Sequence, residues 1–212
     1  HLKTSQFIGN VTKLLTGEVF AQAVGFCSMP LLTRLYSPEA FGVMGLFIAI
    51  SEVGGRMSTL RYDVALVLPK EDREAWSLLR FSATGCLLFS LVLLAVAYPF
   101  REDISHAFGS ELLMLYFPLI ALMIVVLGWQ SLAVYWSLRD KQFKSLAKTS
   151  AGSSLLGHGC KVLAGFMGCG ASGLLLGSVA QRIFHLLILR FVVTPSHMWK
   201  WDSKKGEGLR QA

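Results

Sequence analysis

Charged residues are scarce in this chain. They make up only 16% of its 212 residues, whereas apolar residues make up 53%. A soluble domain of this size usually carries about 25% charged residues, so much of the surface must face something other than water. The apolar residues occur in long blocks, and this indicates that the surrounding medium is lipid.

The sequence also lacks the patterns of a metal site or an enzyme. Cys27, Cys86, Cys160 and Cys169 have no CxxC or Cys–His spacing and lie in apolar stretches, so we interpret them as packing residues. No nucleophile elbow, phosphate loop, HExxH motif or paired-carboxylate site occurs. We therefore expect no metal, no cofactor and no enzymatic activity.

Six hydrophobic blocks are each long enough to cross a bilayer, for which about 20 apolar residues suffice. Backbone groups in lipid need internal partners, so each block is predicted to be helical. The expected fold class is an all-α integral membrane protein with one lobe at 1–193 and a polar cytoplasmic tail at 194–212. The spans are expected at about 11–35, 41–60, 76–100, 112–138, 146–169 and 174–193. Because the chain begins at His1 rather than Met, we also expect a trimmed N-terminus or a fragment.

The connections carry helix signals. Ser37, Pro38 and Glu39 are an N-cap candidate, a proline at the first helical position and an acid in the first turn. The segment 70–74 is predicted to begin the helix of the third span. The segment 100–110 is predicted to be a short polar loop, and the glycine-rich segment 168–173 a tight turn.

Basic residues are distributed unequally between the two sides of the predicted bundle. One side holds Lys3, Lys13, Arg61, Lys70, Arg73, Arg80, Arg139, Lys141, Lys144, Lys148, Arg190, Lys200, Lys204, Lys205 and Arg210, and the other holds Arg34 and Arg101. The positive-inside rule then places both termini in the cytoplasm. This pattern explains the net charge of +7 without a nucleic-acid partner, because the basic residues follow the loops rather than one face.

Five charged residues lie within or at the edge of the predicted spans: Glu18, Glu52, Arg56, Lys161 and Arg182. Each costs about 2.5–3.5 kcal/mol at the centre of a membrane helix. We therefore expect them to face the bundle interior or a wet cavity.

Helical spacing places these residues beside other polar groups. The pairs are Glu18 with Gln22, Glu52 with Arg56, Lys161 with His158, and Arg182 with His185. The candidate cavity residues are Glu18, Gln22, Arg56, Lys161, Arg182 and His185, with Lys161 and Arg182 expected to face one aqueous cavity. Two alternatives remain open: a Glu52–Arg56 pair that neutralises itself near the interface, and histidines that serve as packing residues.

Two segments resemble bacterial polysaccharide transporters. Residues 30–42 (PLLTRLYSPEAFG) resemble the connection between the first two spans of that group, and residues 60–72 (LRYDVALVLPKED) resemble the loop after its second span. The basic segment 139–143 (RDKQF) fits the connection after the fourth span. The group is the O-antigen, Wzx-type, flippase branch of the superfamily that also includes the MATE drug exporters.

The resemblance implies a function and a location. Such proteins move an undecaprenyl-diphosphate-linked oligosaccharide across the bacterial cytoplasmic membrane by alternating access between two six-helix lobes. The chain has room for one such lobe, the N-terminal one, so a second lobe or a homodimer is an expected partner beside membrane lipid. An anionic diphosphate needs cations, which Arg56, Lys161 and Arg182 would supply.

Other functional classes remain open at this stage. A cation-coupled small-molecule exporter of the same superfamily is one, although the bases among the five charged span residues outnumber the acids by three to two. An inactive or assembly-partner half-transporter is another. A membrane enzyme is the third, but it would normally carry a large loop with its acids and bases.

Overall fold

The computed structural model describes residues 2–69, 71–107, 109 and 115–193. Within these residues the chain forms eight helices and no strand. They are α1 (Leu2–Leu35), α2 (Pro38–Ser58), α3 (Tyr62–Ala65), α4 (Asp72–Ala97), α5 (Arg101–Ala107), α6 (Phe117–Arg139), α7 (Phe143–Phe166) and α8 (Gly170–Val193). The predicted tail at 194–212 and the start of the predicted fourth span lie outside the described residues.

Helical segments meet the length and apolarity needed for a membrane span at five of the six predicted positions. They are Thr12–Leu35, Pro38–Ser58, Asp72–Ala97, Phe117–Arg139 and Gly170–Leu189. The chain is therefore an all-α, multi-pass membrane protein. The fifth predicted span forms the 24-residue helix α7, which is less apolar because it contains three lysines and several serines and glycines.

The corner between α1 and α2 follows the predicted signals. The Ser37 side chain accepts a hydrogen bond from the Ala40 backbone N–H at 3.3 Å, and Pro38 occupies the first turn of α2. Tyr36 is buried beside this cap, and its hydroxyl donates to the Lys161 carbonyl oxygen at 2.6 Å. Burial raises the pKa of Tyr36, so the phenol remains a donor and ties the corner to α7.

The helices pack in two groups joined by α8. Helix α7 lies against α1 and α8, while α6 lies against α2 and α4, and α8 also contacts α2 and α6. Phe47, Ile124 and Leu175 form the fully buried centre of the main core, one from each of α2, α6 and α8. Large apolar side chains such as Phe26 and Leu88 remain exposed on the outside, where a bilayer would cover them.

Small residues permit the closest helix approaches. A Cβ atom on Gly177 would lie 2.5 Å from Lys161 Cγ, and one on Gly17 would lie 2.5 Å from the Ala147 Cα. Gly173 is similarly close to the Tyr36 hydroxyl, at 2.7 Å. Gly177 thus lies at a close approach of α7 and α8, and Gly17 at a close approach of α1 and α7.

Two predicted connections have different outcomes. The turn between α7 and α8 is confirmed, since Gly168 and Gly170 have φ values of +70° and +54°. The prediction of a short polar loop at 100–110 was wrong for Arg101–Ala107, which forms helix α5. Acids in its first turn and His106 in its last turn suit the helix dipole, and this local effect outweighs the polar composition.

A sharp reversal follows α2. Leu60 and Arg61 have φ values of 45° and 62°, a left-handed conformation that is uncommon for residues other than glycine. The reversal turns the chain back so that α3 lies against α4 and α6. It brings the acid of the motif at 60–72, Asp63, into a buried position.

Arg139 at the end of α6 fastens the loop that follows α3. Its guanidinium donates to the carbonyl oxygens of Leu66, at 3.4 Å, and Pro69, and it forms an ion pair with Asp72 at 2.9 Å. One side chain thus fixes both the loop and the start of α4.

Candidate functional site

A polar cavity of about 270 Å³ lies among α2, α3, α6 and α8. It is located where α2 ends and the reversal begins, on the side that the charge pattern predicts to be cytoplasmic. Its lining residues are Glu52, Gly55, Arg56, Thr59, Arg61, Asp63, Leu127, Gln130, Ser131, Val134 and Arg182. Five of them carry a formal charge, in a protein with few charged residues within its membrane helices.

Two arginines share one carboxylate in this cavity. Arg182 of α8 places its Nη2 atom 3.3 Å from Glu52 Oε1, and Arg56 places its Nη2 atom 3.8 Å from Glu52 Oε2. Arg56 and Glu52 are one helical turn apart on α2, whereas Arg182 comes from a helix 130 residues further along the chain. The self-neutralising pair left open by the sequence therefore exists, but it is shared with Arg182.

The cavity lining also presents hydrogen-bond acceptors. Asp63 is only 6% exposed, and its Oδ2 atom accepts a hydrogen bond from the Ser131 hydroxyl at 2.5 Å. Its Oδ1 atom and the Gln130 Oε1 atom are buried and have no hydrogen-bond partner among the described residues. The cavity thus has guanidinium donors and carboxylate or amide acceptors, both rare within a membrane.

Lys161 does not belong to this lining. It is 7% exposed, and its ammonium donates to Gln181 Oε1 at 3.3 Å between α7 and α8. His158, one turn earlier, shares a hydrogen bond with Ser28 of α1 at 2.8 Å. These contacts tie α7 to its two neighbours and suit a packing role.

The remaining predicted residues lie on the α1 and α7 side of the protein. Glu18 accepts a hydrogen bond from Ser150 at 2.6 Å, and Gln22 is exposed one turn further along α1. His185 is buried and shares a hydrogen bond with Ser153 at 3.1 Å. The structure thus places only Arg56 and Arg182 of the six predicted site residues in the polar cavity.

Comparison with known proteins gives one match. The profile of a family described as polysaccharide biosynthesis protein matches residues 31–209. This chain belongs to the polysaccharide biosynthesis protein family. The matched residues include every side chain that lines the polar cavity. No curated protein and no solved structure matches the chain.

Membership of this family is consistent with a role of the protein in polysaccharide biosynthesis. Three charged residues of the cavity lining were not among the site residues predicted from the sequence: Glu52, Arg61 and Asp63. Asp63 had a signal, since an acid directly after an apolar block lies within the segment that resembles the family. Its burial depends on the reversal at Leu60 and Arg61, and no local sequence rule predicts that conformation for these residues.

Proposed function

We propose that this chain is a transport lobe that moves an undecaprenyl-diphosphate-linked oligosaccharide across the bacterial cytoplasmic membrane. Both termini face the cytoplasm, the mechanism is alternating access, and the product is a surface polysaccharide such as O-antigen. The lobe acts as the N-terminal half of a Wzx-type transporter and works with a second lobe or a second copy. It makes and breaks no covalent bond, so it is not an enzyme.

The observation that carries this proposal is the Arg56–Glu52–Arg182 cluster. The guanidinium groups of both arginines point at the carboxylate oxygens of Glu52. Guanidinium groups arranged in this way are the donors that bind a phosphate group. Both arginines line a cavity inside a helical bundle that is long and apolar enough for a membrane. A substrate with an anionic headgroup and a lipid chain would fit a cavity that combines arginines with apolar membrane helices.

The charge of the cavity argues against a cation exporter. Its lining contains three guanidinium groups, from Arg56, Arg61 and Arg182, against two carboxylates, from Glu52 and Asp63. A site for a cationic drug would need an excess of acids. In the assembly-partner alternative, the chain binds the substrate but does not transport it. The following experiment distinguishes this alternative from the transport proposal.

The test is surface glycan display in cells that lack their own flippase, with the wild-type chain supplied alone and as a tandem duplication that provides a second lobe. The Arg182→Gln variant should abolish display, because it removes the positive charge that binds the diphosphate. A neutral residue is easier to insert into the membrane, so the variant should still reach it. The Arg182→Lys variant should retain part of the display, because it keeps the charge but loses the planar fork. Arg34→Gln, an exposed position at the end of α1, is the matched control and should retain full display.

Protein levels in the membrane are measured in parallel. Full display by the Arg182→Gln variant would contradict phosphate recognition by this residue. Failure of the wild-type chain in both forms, at normal membrane levels, would contradict the transport proposal and favour an assembly partner.

A further inference from the structure

Two buried oxygen atoms in the polar cavity need hydrogen-bond donors. Asp63 is 6% exposed, and its Oδ2 atom accepts a hydrogen bond from the Ser131 hydroxyl. Asp63 Oδ1 and Gln130 Oε1 have none among the described residues. Leaving a buried acceptor without a donor is costly, so a ligand hydroxyl group that reaches these oxygens would be stabilised by them.

The neighbouring arginines do not fill this role in the structure. Arg182 and Arg56 direct guanidinium nitrogens at the Glu52 carboxylate. The lining therefore offers both guanidinium donors and buried acceptor oxygens. A ligand that uses both carries an anionic group next to groups that donate hydrogen bonds.

The net charge of the cavity lining indicates which kind of group would bind to Asp63 and Gln130. A metal or alkali cation at Asp63 would enter a cavity in which three guanidinium groups already outnumber two carboxylates. Within the described residues, no group of three His, Cys, Asp or Glu side chains is placed to hold a metal ion. Neutral hydroxyl groups avoid this repulsion and donate well to carboxylate and amide oxygens.

We propose that Asp63 and Gln130, braced by Ser131, form a subsite for the hydroxyl groups of the first sugar attached to the diphosphate. This inference rests on the proposed function, because it assigns the diphosphate to Arg56 and Arg182. The cavity would then recognise the diphosphate and the first sugar of the substrate, not its prenyl chain. Selection for a glycosylated over an unglycosylated prenyl diphosphate follows, since only the former donates to both oxygens.

The experiment measures the affinity of the purified full chain in detergent for two probes. One is a short-chain prenyl diphosphate, and the other is the same molecule carrying one hexose on its terminal phosphate. The wild-type protein should bind the hexose-bearing probe about tenfold more tightly, which corresponds to one or two additional hydrogen bonds. The measured quantity is the ratio of the two affinities, because loss of a carboxylate also alters the field at the arginines.

Two variants of different chemistry test the subsite. Asp63→Asn replaces the carboxylate with an amide of the same shape, and Gln130→Met removes the amide acceptor at nearly constant volume. Each should bring the affinity ratio most of the way from tenfold towards one. Glu39→Gln is the matched control, a carboxylate-to-amide change at an exposed position outside this cavity, and should leave the ratio at its wild-type value.

The outcomes separate the subsite from the proposed function. Equal wild-type affinity for the two probes would overturn the hexose subsite while leaving diphosphate binding intact. A ratio that stays at tenfold in a folded Gln130→Met variant would also overturn it, even if Asp63→Asn fails to fold. No wild-type binding of either probe would overturn both proposals.

Discussion

Arg182 and Glu52 meet across the interface of α8 and α2, with the Arg182 Nη2 atom 3.3 Å from the Glu52 Oε1 atom. They are 130 residues apart in the chain, and each is partly accessible from the cavity. Because Arg56 shares the same carboxylate, Glu52 acts as an internal counter-ion for both arginines. An incoming phosphate must compete with it.

The first prediction is that Glu52→Gln increases the affinity of the protein for inorganic pyrophosphate. Removal of the internal carboxylate frees both guanidinium groups for the ligand. Ion pairs at accessible positions contribute about 0.2–1 kcal/mol, so the affinity should rise by up to about fivefold. Calorimetric titration in detergent measures it, with Glu39→Gln, an exposed carboxylate in the first turn of α2 outside the cavity lining, as the matched control. A weaker or unchanged affinity would show that Glu52 does not compete with anions.

The second prediction concerns which basic side chains water can reach. In a background without the four native cysteines, Arg182→Cys should react rapidly with a charged, water-soluble thiol reagent, because Arg182 lines the cavity. Lys161→Cys should react at least about tenfold more slowly, because Lys161 is 7% exposed between α7 and α8. Leu187→Cys, on an exposed apolar surface, reports protection by lipid. Equal rates at positions 161 and 182 would support the single shared cavity expected from the sequence.

The third prediction compares two glycine-to-alanine substitutions. Gly177→Ala should lower the free energy of unfolding by about 1–3 kcal/mol, since its Cβ would lie 2.5 Å from Lys161 Cγ in the α7–α8 interface. Gly159→Ala on α7 meets no atom within 4 Å, so the helix preference for alanine should stabilise it by up to about 1 kcal/mol. Thermal unfolding in detergent measures both. Equal midpoints would mean that the interface is looser than the structure shows.

The fourth prediction is the orientation in the membrane. Reporter fusions at Asp103, between α4 and α6, and at Lys141, between α6 and α7, should give opposite signals: periplasmic and cytoplasmic, respectively. The physical reason is the excess of basic residues on the Lys141 side. The same compartment for both fusions would remove the predicted topology and, with it, the cytoplasmic placement of the cavity.

Local sequence signals were enough for most of the helices. The cap at Ser37, the turn at Gly168 and the apolar blocks each act within a few residues of the chain, so their structures follow from nearby chemistry. The segment 101–107 shows the limit of this reasoning. Its composition indicated a loop, but acids at one end and His106 at the other favour a short helix.

The candidate site was predictable only in part. The cost of charge in a membrane identified Arg56 and Arg182 as cavity residues, and both line it. The same argument selected Lys161 and Glu18, whose partners, Gln181 and Ser150, lie on neighbouring helices that the sequence could not pair with them. A rule about cost says that a charged group needs a partner, but it does not say which one.

The sequence by itself determined the membrane environment, the helical class and the positions of nearly all the helices, because these depend on apolar length and short-range backbone preferences. Tertiary structure alone decided that α8 lies against α2, so that Arg182 reaches Glu52. It also decided that the reversal at Leu60 and Arg61 buries Asp63 beside Gln130 and Ser131. The reason is that helix neighbours and loop reversals depend on packing between residues far apart in the chain, which no single stretch of sequence encodes.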